Sequence, residues 1–364
     1  MQRREFLWSS VALAAGTMWP AGRTLAAFSP SPESGWRSFE VTHRIEVLKP
    51  EGTTRVWLPL PSVQEEGWIR NMGNLWQGNA RTARLVRNAE YGAEMLYAEW
   101  APGEPPVLEV TSRFATRDRA VDLDQSGKPA PLSNADRTLY TKATRMLPTD
   151  GIVRDTAREI TAGTKTDEAK ARAIYEWVVD NTFRNPKTRG CGLGDIRFML
   201  ESRDLSGKCA DLNALYVGLA RAAGLPARDV YGIRVADSRF GYKSLGKSGD
   251  ISRAQHCRAE VWIDRHGWVP VDPADVRKVV LEEPPGNLAL DDAKVTDVRR
   301  RLFGSWEMNW LAYNTAHDLS LPGSRDVTVP FLMYPQAETA AGMIDSLDAA
   351  SFEYQITAKE LTAS

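Results

Sequence analysis

The sequence predicts an α+β protein, in which an N-terminal β-sandwich-like domain precedes helices packed on an antiparallel sheet. Three observations indicate this class. Apolar and polar residues alternate over most of 36–122, which is typical of half-buried strands. A helical pattern with marked ends covers 206–228, and two alternating runs on either side of 264–267 predict a β-hairpin. We expect the helix to pack on the sheet that contains the hairpin.

The composition is that of an ordinary folded protein. The chain has 364 residues, of which 43% are hydrophobic and 26% charged, and its formal net charge is −1. This length allows a sizeable core and predicts two domains. The near-neutral charge balance argues against a nucleic-acid partner. The basic run at 299–301 does not change this, because its three arginines would point in different directions on a helix.

Residues 1–26 have the pattern of an export signal peptide. Arg3 and Arg4 precede an apolar run at 11–19, and Leu25-Ala26-Ala27 offers a small-residue cleavage site. The apolar run is too short to span a bilayer, and no later stretch is long enough. The sequence therefore predicts twin-arginine export, a periplasmic or secreted location and no membrane span after cleavage.

The segment 36–125 is predicted to form the N-terminal β domain. Turn signals separate its short alternating runs, which is the pattern of a β-sandwich. These runs lie at 39–47, 56–60, 94–100 and 108–114. His43 lies on an apolar strand face without a partner motif, and we interpret it as structural. The run Gly127-Lys128-Pro129-Ala130-Pro131 marks a domain boundary.

The segment 132–280 is predicted to form the core domain. Its first half contains three helical patterns, at 135–146, 152–162 and 167–181. Thr166 is a suitable N-cap for the third, and the apolar stripe of that helix predicts core packing. A strand is expected at 229–235.

The remaining segment, 281–364, is predicted to be a β-rich extension packed on the core. A helix at 295–303 and strands at 306–314 and 352–356 are expected there. Trp306 and Trp310 would share one strand face. Such a face can bind a sugar or a peptide by stacking, but hydrophobic packing beside the core is the interpretation that we favour.

Cys209 occupies the first turn of the predicted helix at 206–228. Ser206 or Gly207 can open this helix, and Gly224 followed by Pro226 ends it. Unpaired N–H groups and the helix dipole favour an anion in a first turn, so a thiol there ionises more easily and becomes a nucleophile. The alternative is an inert, buried cysteine that packs the start of the helix.

His256 and Asp272 lie on the two arms of the predicted hairpin. Both are eight residues from Asp264, so a short odd loop centred on Asp264 would place them opposite each other. Opposite residues of an antiparallel pair point to one face of the sheet. A histidine beside a carboxylate is the geometry of a base and the group that orients it.

These residues stand in three blocks whose order and spacing resemble the transglutaminase-like superfamily. The blocks are Gly207-x-Cys209 with Arg221 to Arg228, then His256-x-x-x-Glu260, then Gly267 to Pro273. The superfamily groups transglutaminases, peptide N-glycanases and bacterial cysteine-peptidase relatives, and the likeness covers roughly 167–277. It implies a papain-like or transglutaminase-like core, in which a helix carrying the cysteine packs on an antiparallel sheet carrying the histidine and the aspartate.

Two positions depart from the pattern of the superfamily. Arg258 stands two residues after the histidine, where many members carry Trp, and Ala274 stands where Thr often follows Asp-Pro. Neither departure removes a catalytic group. Both are expected to change what the site accepts.

The resemblance implies an exported thiol enzyme that acts on peptide or protein carboxamides. Cys209 would form an acyl-enzyme, His256 would move the proton and Asp272 would orient the imidazole. Transamidation, deamidation and amide hydrolysis all remain open. The alternatives are a cysteine peptidase acting on envelope peptides and a non-catalytic binding module, although no member of the triad is missing. No cofactor is expected, and the four scattered histidines without a Cys-x-x-Cys predict no metal.

Three cysteines in an exported protein leave one unpaired, and a nucleophile must stay reduced. Strand alternation predicts that Cys257 turns to the face opposite His256, away from the cleft, where a disulfide to Cys191 is one expectation. A twin-arginine substrate typically folds before export in a reducing compartment, so two buried free thiols are the alternative.

Overall fold

The computed structural model describes residues 35–125, 127 and 129–361. The predicted export signal at 1–26 lies outside the described residues. Within them, no helix is both long and apolar enough to cross a membrane.

The strands carry most of the regular structure. In chain order they are β1 (Arg37–Val47), β2 (Thr54–Pro59), β3 (Ile69–Gly78), β4 (Thr82–Arg87), β5 (Glu94–Trp100), β6 (Val107–Thr116), β7 (Arg119–Ala120), β8 (Phe183–Arg184), β9 (Ser206–Gly207), β10 (Ala227–Arg234), β11 (Gly249–Asp250), β12 (Gln255–Ile263), β13 (Gly267–Val271), β14 (Ser305–Trp306), β15 (Trp310–Asn314), β16 (Leu319–Ser320), β17 (Thr328–Val329), β18 (Gln336–Thr339), β19 (Gly342–Ile344) and β20 (Phe352–Leu361).

The helices lie between the two strand-rich parts of the chain. They are α1 (Asn134–Thr141), α2 (Gly151–Ile160), α3 (Asp167–Asn181), α4 (Ile196–Ser202), α5 (Cys209–Ala222), α6 (Pro273–Glu282) and α7 (Ala293–Arg301), with a short 3₁₀ turn at Lys243–Leu245. The sequence predicted α3 with its bounds, and Thr166 caps it by accepting from the Ala169 N–H at 3.1 Å.

The predicted α+β class is confirmed, with a sheet-rich N-terminal region. One five-stranded sheet has the order β11-β20-β1-β6-β3, and a second has the order β19-β18-β2-β5-β4. Apolar side chains of both sheets bury each other, among them Ile45, Leu58 and Val110. Alternation along the strands therefore produced the sandwich that the sequence predicted.

The C-terminal segment contributes to all three large sheets. Strand β20 pairs with β1 over ten residue pairs, β18 pairs with β2, and β15 joins the core sheet beside β10. The extension predicted at 281–364 thus packs on the core and also completes the sandwich. The division into domains at 36–125, 132–280 and 281–364 stays a prediction.

Helix α5 packs on the four-stranded core sheet, whose order is β13-β12-β10-β15. Every residue of the helix from Cys209 to Arg221 is buried. Leu215 and Leu219 belong to the same core as Ala259 and Val261 of β12. Burying an aliphatic side chain stabilises a fold by roughly 1.5–3 kcal/mol, so this packing fixes the start of α5 relative to β12.

One predicted strand is wrong in its extent. The segment 306–314 forms two strands, β14 and β15, which belong to different sheets. Trp306 and Trp310 therefore do not share a strand face. Both indoles are fully buried with ring centroids 5.8 Å apart, in agreement with the packing interpretation.

Candidate active site

Cys209 is the first residue of α5, as the helical pattern predicted. Lys208 rather than Ser206 or Gly207 is the capping residue. The cysteine is 4% exposed, so its thiol lies at the edge of the interior. The first N–H groups of a helix have no partner within it, so the backbone at Cys209 presents donors beside the sulfur.

A glycine-rich loop is pinned to the start of α5 by Asp211. The Asp211 carboxylate accepts from the N–H groups of Leu193, Gly194 and Lys208, each at 3.0 Å. The loop has no room for a side chain where it approaches, because a Cβ at Gly192 would lie 1.9 Å from Asp211 Oδ2. This contact brings the loop that carries Cys191 against Cys209.

His256 contacts Asp272 at the end of the core sheet. The imidazole Nε2 lies 2.8 Å from Asp272 Oδ2, and both side chains are buried. An ionised carboxylate only accepts hydrogen bonds, so Nε2 is the nitrogen that donates, and Nδ1 is left for another partner.

The hairpin is centred one residue later than predicted, so each residue pairs two positions further along the chain than expected. The observed pairs, such as Val261 with Val269, centre the hairpin on Arg265, and its loop has three residues. His256 and Asp272 are therefore not opposite each other. They still meet, because the chain leaves β13 at Val271 and Asp272 becomes the N-cap of α6.

A second carboxylate lies beside the same nitrogen. Asp275 Oδ2 is 3.3 Å from His256 Nε2, and Arg234 Nη2 donates to Asp275 Oδ1 at 2.6 Å. The Asp275 backbone N–H donates to Asp272 Oδ1 at 3.1 Å. The imidazole therefore faces two buried carboxylates that belong to one helix start.

Arg258 fills the position where the sequence departs from the superfamily pattern. Its Nε lies 3.6 Å from Asp272 Oδ2, and its guanidinium carbon is 4.7 Å from the ring centre of Trp310. Its Nη1 donates to the Glu307 carbonyl at 2.9 Å. This departure from the pattern thus places a buried cation next to the Asp272 carboxylate.

Asn213 links the helix to the sheet one turn after Cys209. Its Nδ2 donates to the Cys257 carbonyl at 2.8 Å and to Asp272 Oδ1 at 3.2 Å. Residues four apart on a helix share a face, so this polar side chain lies on the side of α5 that carries the thiol.

The electrostatics favour a charged cysteine–histidine pair. Hydrogen bonds from the thiols of Cys191 and Cys257, together with the hydrogen bond and charge of His256, hold the pKa of Cys209 well below its usual value. Burial and the charge of Arg234 lower the pKa of His256. The charges of the two carboxylates outweigh both effects and raise that pKa to about 10.

The other two cysteines lie on either side of Cys209. Both are buried and all three thiols are free. Hydrogen bonding to Cys209 and burial raise the pKa of Cys191, and burial followed by the same contact raises that of Cys257. The expectation that Cys257 turns away from the cleft is wrong, because its face of β12 is the face on which α5 packs.

His256 and the two carboxylates beside it also have the composition of a metal site. Ligand atoms of His256, Asp272 and Asp275 lie within 4.8 Å of one another. Arg234 and Arg258 already neutralise the two carboxylates, however. A divalent cation would have to compete with two buried guanidinium groups, so we interpret the cluster as an ion-pair network.

A core of this architecture, with a thiol at a helix start facing a histidine on the adjoining sheet, is that of a thiol-enzyme family. Residues 154–273 match the family model of the transglutaminase-like superfamily. The chain belongs to that superfamily.

Two known proteins resemble the chain over nearly its whole length. A Haemophilus influenzae protein, itself uncharacterized, is 34% identical over 342 residues, which cover 89% of this chain and 91% of that protein. The crystal structure of a candidate cysteine protease from Cytophaga hutchinsonii has a TM-score of 0.54 at 13% identity. That match covers 91% of this chain and 93% of the other, and it shows that the fold is shared.

Sequence reasoning missed Asp275, Arg234 and Asn213. Asp275 follows Asp272 by three residues, and an acid at that spacing after an N-cap residue is a helix-start signal that could have placed it near the histidine. Asn213 is a polar residue one turn after Cys209 on an otherwise apolar helix. Arg234 gives no comparable signal, because its contact depends on the sheet order.

Proposed function

We propose that this protein acts on peptide or protein carboxamides through an acyl-enzyme formed on Cys209. One observation carries the proposal. His256 presents Nε2 to Asp272 at 2.8 Å, and through hydrogen bonding and charge it lowers the pKa of the Cys209 thiol. A nucleophile, a base and a group that orients the base are the requirement for thiol catalysis.

In the first step the Cys209 thiolate attacks the carbonyl carbon of the carboxamide. The C=O electron pair moves to oxygen, and the backbone N–H of Cys209 is placed to donate to it, an interaction typically worth about 3 kcal/mol. The C–N bond then breaks and the His256 imidazolium gives its proton to the leaving nitrogen. Ammonia leaves when the substrate is a primary carboxamide, and a thioester remains.

In the second step an acceptor attacks the thioester. Neutral His256 takes a proton from water or from an amine, the C–S bond breaks, and the thiolate–imidazolium pair is restored. Water gives hydrolysis or deamidation, and an amine gives transamidation. Asp272 stabilises the imidazolium during both steps without itself taking a proton.

A cysteine peptidase acting on envelope peptides is the second candidate. It would use the same three groups, and the Cytophaga hutchinsonii neighbour is a candidate cysteine protease. A peptidase differs only in the leaving group, which is a peptide amine. A non-catalytic module on this fold would lack a member of the triad.

The three reactions change substrate mass differently. An extract of bacterial envelope proteins is incubated with the protein and with its Cys209→Ala variant, and both are analysed by mass spectrometry. A loss of about 17 Da with crosslinked peptides means transamidation, a gain of about 1 Da means deamidation, and new termini mean proteolysis. If neither sample differs from an untreated extract, the proposal is wrong for envelope substrates.

We also propose that the protein is exported by the twin-arginine route. Arg3 and Arg4 before a short apolar run support this. Cell fractionation and N-terminal sequencing should find a processed form that begins near Ala26 outside the cytoplasm. Changing both arginines to lysine should retain the unprocessed protein inside, and unchanged export would contradict the proposal.

A further inference from the structure

The imidazole of His256 has more negative charge beside it than a Cys–His–Asp arrangement needs. Its Nε2 lies 2.8 Å from Asp272 Oδ2 and 3.3 Å from Asp275 Oδ2. These side chains are at most 4% exposed, so little solvent screens them. The N–H of Nε2 therefore bonds to Asp272 and has a second carboxylate, that of Asp275, close beside it inside the protein.

Two buried carboxylates this close to each other normally cannot both ionise. Here each has its own cation. Arg234 forms a 2.6 Å ion pair with Asp275, and Arg258 Nε lies 3.6 Å from Asp272. The Arg234 pair is the closer of the two and includes a hydrogen bond. The more strongly held negative charge beside the imidazole is thus that of Asp275.

We propose that Asp275, held in its ionised form by Arg234, is a second positioning residue that stabilises the His256 imidazolium together with Asp272. The inference rests on the proposed function, since it assigns a role within the same site. Asp275 acts through His256 and touches neither the thiol nor a reacting carbonyl.

The charges facing His256 agree with this assignment. They come from Asp272 and Asp275 at the start of α6, Arg234 on β10, Arg258 on β12 and Cys209 on α5. Burial and the neighbouring Asp275 raise the pKa of Asp272. Burial also acts to raise the pKa of Asp275, but Arg234 and His256 outweigh it and hold that pKa well below its usual value.

Loss of Asp275 should narrow the pH range of the thiolate–imidazolium pair from both ends. A less stable imidazolium makes the thiolate harder to form, so its acid midpoint rises. The imidazolium also loses its proton at lower pH, so the alkaline midpoint falls. A nearby charge typically shifts a pKa by about one to three units, and we expect roughly one pH unit at each end for Asp275→Asn.

The test needs no known substrate. The rate at which iodoacetamide alkylates Cys209 gives the acid midpoint, and ¹⁵N NMR of the chain's four histidines gives the imidazolium midpoint of His256. Glu260→Gln is the matched control. Glu260 lies on the same strand as His256, and its buried carboxylate forms an ion pair with Arg228. The control should leave both midpoints in place.

A cavity of about 220 Å³ permits a second test, since Asp275 and Arg234 both line it. Sodium formate should enter the space left by Asp275→Ala and return the acid midpoint towards that of the unmodified protein. Sodium chloride at the same concentration should not. If Asp275→Asn does not fold, Asp275→Ser, which removes the same charge and keeps an oxygen that can accept from Arg234, should raise the acid midpoint in the same way.

The outcomes separate this inference from the proposed function. Midpoints in Asp275→Asn that match the unmodified protein, or an equal shift in Glu260→Gln, would overturn the role of Asp275. If His256→Ala also leaves Cys209 alkylation unchanged, the proposed function itself fails. If His256→Ala slows Cys209 alkylation but Asp275→Asn leaves the midpoints unchanged, only the role of Asp275 is rejected.

Discussion

Two buried histidine–aspartate pairs in this protein consist of the same residue types and differ in chemistry. In one, His256 Nε2 is 2.8 Å from Asp272. In the other, His317 Nε2 is 3.4 Å from Asp229. All four side chains are at most 4% exposed.

The two pairs differ in the hydrogen bonds around them. Asp272 accepts from His256, from Asn213 and from the backbone of Asp275. Neither oxygen of Asp229, nor Nε2 of His317, has a hydrogen-bond partner among the residues that the structure describes.

The charge states of the pairs follow from these surroundings. Burial raises the pKa of Asp229 to about 7 and lowers that of His317 well below its usual value. The His256 imidazole is held as a cation, with a pKa of about 10. A carboxylate near a histidine is therefore not enough to charge it, because hydrogen bonds and counter-ions must also hold the carboxylate ionised.

The largest expected effect separates the two aspartates by activity. Asp272→Asn keeps the shape of the side chain and removes its charge. Turnover of a carboxamide substrate should fall by roughly 10²–10⁴, because the imidazole loses the group that fixes its tautomer. Asp229→Asn should keep its activity. The measurement is the initial rate of product formation, with circular dichroism to verify folding, and full activity in Asp272→Asn would mean that another group orients His256.

A third buried carboxylate tests whether pairing alone confers reactivity. Glu260 contacts both Arg119 and Arg228 and has no histidine beside it. Glu260→Ala would leave the buried Arg228 and the half-buried Arg119 uncompensated and should lower the free energy of unfolding by about 3–5 kcal/mol. Urea unfolding measures this loss, with Glu353→Ala on the surface as a control. The alkylation rate of Cys209 in the folded variant should be unchanged. A slower rate would contradict the expectation that only the carboxylates beside His256 affect the thiol.

Asp229 should make the free energy of unfolding depend on pH. The folded-state pKa of about 7 lies above the unfolded value of 3.8, so burying the charged form costs stability as pH rises through this window. The cost reaches about 4 kcal/mol at full ionisation. Relative to the natural protein, Asp229→Asn should therefore gain stability from pH 4 to pH 7. The difference in free energy of unfolding between the two proteins isolates Asp229, because His317 is present in both. If that difference does not change with pH, the raised pKa of Asp229 is contradicted.

The smallest expected effect concerns the histidines directly. At pH 6, iodoacetamide should modify Cys209 at least about tenfold faster than Cys191 or Cys257, since only the thiolate reacts. His256→Ala should slow the Cys209 reaction, whereas His317→Ala should not. Peptide mapping by mass spectrometry gives all three rates in one experiment. Equal rates for the three cysteines would mean that Cys209 is not activated.

The sequence was most informative where a local rule acted alone. Helical spacing and the glycine stop placed Cys209 in the first turn of α5, and Thr166 marked the start of α3. Alternation also predicted the hairpin. The predicted pairing was off by two residues, because the loop is centred on Arg265 rather than Asp264, and loop geometry sets register.

Other features depend on contacts between distant segments. The Arg234 contact requires β10 to lie beside β12, and nothing in either strand states this order. Cys257 was predicted to face away because alternation gives two faces without saying which one receives α5. The departure at Arg258 was visible in the sequence, but its proximity to Asp272 was not.

The pairing of β1 with β20 has a consequence for the order of folding. These strands are the first and the last of the described chain, and about 300 residues separate them. At translation rates of roughly 5–20 residues per second, β1 leaves the ribosome about 15–60 s before its partner exists. Throughout that interval one side of β1 presents unpaired N–H and C=O groups, an edge on which other chains can pair. The sandwich therefore begins with the first described strand and cannot be completed until the last described strand is made, so loss of β20 would expose a new sheet edge.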